Sequence, residues 1–66
     1  MKFNELDCVR VLRDFPEHGV SKGEIGTVLI AFTNPNEAYE VEFSDKTGKP
    51  RATFPILPDD LEQGCW

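Results

Sequence analysis

Gly19-Val20-Ser21-Lys22-Gly23-Glu24-Ile25-Gly26-Thr27-Val28-Leu29-Ile30 carries three glycines and the opening of the chain's most apolar run. Its first half turns and its second half extends. Gly19 and Gly23 supply positive φ for tight turns. Ile25 to Phe32 is then continuously apolar apart from Gly26 and Thr27, as in a strand covered on both faces. Alternation puts Gly26, Val28, Ile30 and Phe32 on one face and Thr27, Leu29 and Ala31 on the other. A glycine inside a strand marks a bend or a close backbone approach, and Gly26 is read so. The glycines do not form a phosphate-binding loop. Lys22 precedes Gly23 and Gly26 rather than following them, and no helix is expected after.

Upstream, Leu6 to Leu12 is a short strand with Val9 and Val11 sharing a face and Arg10 opposite. Asp14 to Glu24 is polar and too broken by Pro16, Gly19 and Gly23 for a helix. It is read as a long folded loop with Phe15 and Val20 tucked inward and turns at Pro16–Gly19 and Lys22–Glu24. Downstream of a turn at Thr33–Asn36, Ala38 to Ser44 alternates cleanly. Tyr39, Val41 and Phe43 point inward and Glu40 and Glu42 outward. Asp45–Lys49 is a hairpin tip with Gly48 free to take a left-handed conformation. Arg51 to Ile56 is a fourth strand whose Pro55 demands an edge or a break. Pro58–Leu61 suits a 3₁₀ turn with Leu61 over the core, and Leu61 to Gln63 adds a last short strand. Together these predict an all-β chain: a small five-stranded SH3-like barrel with a long first loop and a 3₁₀ turn before the last strand.

Sixty-six residues make a single domain, 1–66. Two cysteines and one histidine are too few for a disulfide framework or a tetrahedral zinc site. The N-terminus lacks the apolar core of a secretory signal, and no apolar run has membrane-spanning length. A reduced, cytoplasmic protein is therefore expected. Cys8 lies on the first strand and Cys65 just past the last, and first and last strands adjoin in such barrels. The pair could approach disulfide distance, but a cytosolic chain is expected to keep two free thiols.

Twelve acidic residues stand against seven basic ones, giving a net charge of −5. Nucleic-acid binding needs the opposite balance, and an anionic membrane surface would repel the chain. A basic protein partner, or simple solubility, fits the charge.

The strand Asp7 to Val11, the loop Pro16 to Val28 and the strand Ala38 to Phe43 also carry a resemblance. They resemble D-x-V-x-(V/L), P-E-H-G-(L/V)-x-x-G-x-x-G-T-(V/I) and A-Y-x-V-E-F in a family of small stand-alone bacterial proteins without assigned activity. More distantly, the order of elements is similar to the carboxy-terminal barrel of nitrile hydratase beta subunits and to KOW-type barrels. The first of these implies a subunit or accessory role and carries over no metal ligand. The second implies RNA binding, yet the loops here hold Asp14, Glu17, Glu24 and Glu37 where those barrels are basic.

Candidate chemistry is sparse. His18 with Glu17 and Asp14 is the one cluster able to hold a metal or exchange protons, and it reads more simply as a turn histidine. Cys8 has no partner to activate it as a nucleophile. Glu37, Glu40, Glu42 and Asp45 form an acidic stripe on one hairpin, with Arg51 opposite. Phe15, Phe32, Tyr39 and Trp66 are the aromatics available for a groove, but most alternate into the core, which disfavours polyproline binding. Phe3 and Trp66 could form an apolar terminal patch supporting weak self-association. The expectation is a non-enzymatic interaction or accessory module, a subunit, inhibitor or antitoxin-like protein. It would meet a protein partner through Glu17, His18, Glu37, Glu40 and Glu42, with no cofactor and no metal. A KOW-like nucleic-acid-binding barrel is the alternative.

Overall fold

A computed structural model describes residues 2–64. Five antiparallel strands form one sheet: β1 (Cys8–Val11), β2 (Ile25–Phe32), β3 (Ala38–Ser44), β4 (Pro50–Ile56) and β5 (Leu61–Gln63). Their spatial order is β4-β3-β2-β1-β5, so successive hairpins build a meander and β5 returns to the far side of β1. Single 3₁₀ turns occupy Pro16–His18 and Pro58–Asp60. The strands, long loop and late 3₁₀ turn match expectation, but the sheet stays open rather than closing into a barrel. Its edges, β4 and β5, do not pair with each other. β5 is only three residues long and pairs with β1 alone. Pro55 removes one donor from β4.

One face of the sheet carries the core. Val9, Val11, Val28, Tyr39, Val41, Phe43, Phe54, Ile56 and Leu61 are each at most 4% exposed. Two irregular segments complete it. The long loop contributes Phe15 and Val20, which bridge each other through both backbone hydrogen bonds. The N-terminal strap contributes Phe3, whose ring meets Tyr39 edge-on at 5.3 Å. Phe3 was expected in an exposed terminal patch; it is 3% exposed. Trp66, its expected companion, lies outside the described residues.

Gly26 is a close-approach glycine. A β-carbon there would lie 2.5 Å from Val41 Cγ1 and 2.9 Å from the Glu42 carbonyl oxygen. In the long loop, Gly19 and Gly23 take φ of 68° and 95°. The loop is locked by Asp14, whose carboxylate accepts from the Lys22 N–H at 2.8 Å. Glu24 accepts in the same way from the Ser21 N–H at 2.7 Å.

β2 departs from simple alternation. Its register against β3 shifts between Val28 and Ile30. Val28 pairs with Val41, but Ile30 pairs with Glu40 and Ala31 with Tyr39. A bulge inserts one residue and reverses the parity beyond it. Ile30 and Phe32, expected on the same face as Val28, are therefore 44% and 38% exposed. Ala31, expected on the other face, packs against the core instead.

The strap contains the chain's one described non-glycine residue with positive φ, Leu6 at 70°. The left-handed conformation costs a residue of this kind about 1–2 kcal/mol. Cys8 is disulfide-bonded rather than a free thiol. The Gly64 N–H donates to the Cys8 carbonyl at 2.9 Å, so β5 runs out alongside it. Cys65, the other cysteine, lies outside the described residues. No described helix is long and apolar enough to cross a membrane.

Candidate functional site

The five residues expected to meet a partner fall into three places. Glu17 and His18 sit in the 3₁₀ turn Pro16–His18, which the long loop lays over β4. The His18 ring stacks on Phe54 at 3.7 Å, with planes 7° from parallel. Phe54 belongs to the core face, so the histidine caps the core from that side. Asp14, the third member of the possible metal cluster, uses its carboxylate on the Lys22 backbone. No group of three His, Cys, Asp or Glu side chains suited to a metal ion occurs among the described residues.

Glu37 precedes β3 and is engaged within the fold. Its carboxylate accepts from the Tyr39 hydroxyl and, at 3.2 Å, from the Lys2 N–H. The Tyr39 oxygen in turn accepts from the N–H groups of Lys2 at 3.0 Å and Phe3 at 3.1 Å. These contacts hold the strap over the core. The Tyr39 hydroxyl, followed by the Lys2 N–H, lowers the Glu37 pKa below the ordinary carboxylate value. Burial, followed by the glutamate beside it, raises the Tyr39 pKa.

Glu40 and Glu42 are different. Both project from interior strand β3 on the face opposite Tyr39, Val41 and Phe43, and both are half-buried. Two residues apart on one strand, their side chains emerge about 7 Å apart. Neither forms an ion pair or side-chain hydrogen bond among the described residues. All three arginines are committed elsewhere: Arg10 to Glu62, Arg13 to Asp60 and Arg51 to Glu24. Arg51, expected opposite the acidic stripe, instead ties β4 to the long loop by donating to the Gly19 carbonyl and Glu24.

The register supplies the neighbours of the two glutamates. Glu42 lies between Thr27 and Thr53, and Glu40 between Ile30 and Pro55. Phe32 follows on the same face, opposite Ala38. The outer surface of β2, β3 and β4 is thus an acidic pair beside two exposed apolar side chains. Asp45, the last residue of the expected stripe, holds the hairpin tip by accepting from Thr47 and from the Lys49 N–H.

Comparison with known families adds one finding. The family model described as a domain of unknown function, DUF4926, matches residues 5–63. The chain belongs to this family. No curated protein and no solved structure matches it. The matched span of this DUF4926 domain includes all five candidate residues. Sequence reasoning found the acidic pair but missed the apolar side chains next to it. Strict alternation sends Ile30 and Phe32 inward, and nothing in Val28-Leu29-Ile30 signals the bulge.

Proposed function

We propose that this DUF4926 domain is a non-enzymatic binding module. It docks a basic protein surface on the outer face of β2, β3 and β4. The observation that carries this is the pair Glu40 and Glu42, which lack cationic partners among the described residues and lie beside exposed Ile30. Carboxylates without an internal partner are free to meet Lys or Arg of another chain, and charge of this kind sets on-rate and specificity. The adjacent apolar side chains supply the area that an ion pair alone does not. His18 and Glu37 contribute to the fold's own contacts, so the reading rests on Glu40 and Glu42. The strand order is in keeping with SH3-like barrels, and an accessory or inhibitory role is in keeping with the small acidic chain.

Fluorescence anisotropy of labelled peptides tests this. An extended peptide alternating leucine and lysine should bind, and more weakly as salt rises. An alternating leucine–glutamate peptide and a short single-stranded RNA should not. Equal binding of both peptides, or binding of the RNA alone, overturns the proposal.

A further inference from the structure

β5 is the shortest strand of the sheet, and it ends beside a cross-linked cysteine. Its three residues pair with β1 alone, in the register Val9↔Gln63, Arg10↔Glu62 and Val11↔Leu61. An edge strand with so few partners belongs to the part of a fold that opens first. Yet β5 carries Leu61, which is 1% exposed and completes the core. The ladder is extended at both ends. The Leu12 N–H donates to the Asp60 carbonyl at 2.8 Å, and the Gly64 N–H donates to the Cys8 carbonyl at 2.9 Å. The ion pairs Arg10–Glu62 and Arg13–Asp60 brace the same edge, but both are partly exposed, where such pairs add little. Gly64 passes so close to β1 that a β-carbon there would lie 2.7 Å from the Val9 carbonyl carbon. The chain is thus pressed onto the strand that carries Cys8, one residue before Cys65.

Cys8 is half-buried on the face of β1 opposite Val9 and Val11, and it is disulfide-bonded. The chain has one other cysteine, Cys65. We infer that Cys8 and Cys65 form an intramolecular disulfide that acts as a redox-operated clamp on β5. To close it, the two thiols give up two protons and two electrons to a small-molecule disulfide such as oxidised glutathione, which leaves as two thiols. To open it, a thiolate of a dithiol reductant attacks one sulfur, and its second thiol resolves the mixed disulfide. Cys8 and Cys65 are then thiols again and the reductant is a disulfide. Nearly the whole chain lies between the two cysteines, and a cross-link across a long loop restricts the unfolded chain most. Once reduced, β5 is held by its short ladder and the exposed ion pairs alone. It then opens with Leu61 and bares the outer edge of β1. The clamp is independent of the proposed binding face, because β1 and β2 lie between β5 and β3.

Mass spectrometry and hydrogen exchange on the full chain test this. In oxidised glutathione the protein should be a monomer whose Cys8 and Cys65 peptides are joined, and dithiothreitol should add two hydrogens. A disulfide-linked dimer, a glutathione adduct or two free thiols under the oxidising condition overturns the clamp. Reduction should lower the thermal midpoint by about 10 °C or more, the usual effect of losing such a cross-link in a domain this small. The Cys8→Ser/Cys65→Ser variant should melt with the reduced parent and ignore the reductant. On reduction the Leu12 and Gly64 amides should exchange at least about tenfold faster relative to those of β3, which is paired on both sides. An unchanged midpoint, or equal acceleration in β3 and at the β1–β5 edge, overturns the inference, the latter making the disulfide a general staple.

Discussion

The ring of His18 lies flat on that of Phe54, centroids 3.7 Å apart. This contact gives the histidine a structural role: it shields the rim of the core where the long loop crosses β4. Phe15 and Phe43 flank the same Phe54 ring at 5.2 and 5.6 Å, so the loop and the sheet share an aromatic cluster.

Removing the shield should cost stability. Aromatic pairs contribute roughly 0.5–1.5 kcal/mol beyond their buried area, and His18→Ala is expected to lose about 1 kcal/mol. Urea denaturation measures it. His18→Phe, which keeps a flat ring, should recover most of the loss. If His18 instead served as a metal ligand, added zinc would raise the parent's midpoint but not that of His18→Ala; no such difference is expected.

Gly26→Ala should be more damaging. The new β-carbon would stand 2.9 Å from the Glu42 carbonyl oxygen, a backbone atom of neighbouring β3, as well as 2.5 Å from Val41 Cγ1. Overpacking in a filled core costs typically 1–3 kcal/mol, and Gly26→Val should exceed Gly26→Ala. Gly48→Ala is the control for position. No atom lies within 4 Å of a β-carbon there, so its cost arises from the φ of 87° alone.

The Glu37–Tyr39 pair predicts pH dependence at both ends of the range. The Glu37 pKa is lowered in the folded chain. Its stabilising contribution is complete above the unfolded carboxylate value and is lost as pH falls through the lower folded value. Glu37→Gln should therefore flatten the acid limb of the stability profile. The Tyr39 pKa is raised. Its contribution holds below the unfolded phenol value, near 10, and is lost as pH rises through the higher folded one. Tyr39→Phe should flatten that alkaline limb. It also strips the acceptor from two backbone N–H groups, a cost of about 1–3 kcal/mol. Amide exchange at Phe3 should accelerate in the same variant.

Much of this architecture is legible in the chain. Period-two alternation over Ala38–Ser44 gives β3 its bounds and inner face, because a strand buried on one side must write that face into its sequence. Gly26 and Pro55 likewise announce a close approach and an edge. Less visible is what depends on three-dimensional competition for partners. Glu37 looks as available as Glu40 until the strap places Lys2 and Phe3 over Tyr39. Arg51 looks like a cross-strand partner for β3 until the long loop brings Glu24 to it. The exposure of Ile30 follows from a single extra residue in β2, a shift that composition does not encode. The fold was therefore readable from pattern, whereas the separation of engaged from unengaged acidic groups was not.

The most direct test of the binding face is a titration of the isotope-labelled domain with the leucine–lysine peptide, followed by amide and methyl chemical shifts. Shift changes should concentrate at Ile30, Phe32, Glu40 and Glu42, leave His18 and Phe54 unmoved, and vanish in the Glu40→Gln/Glu42→Gln variant. Changes centred on the Pro16–His18 turn, or a response that persists without the two carboxylates, would contradict the account.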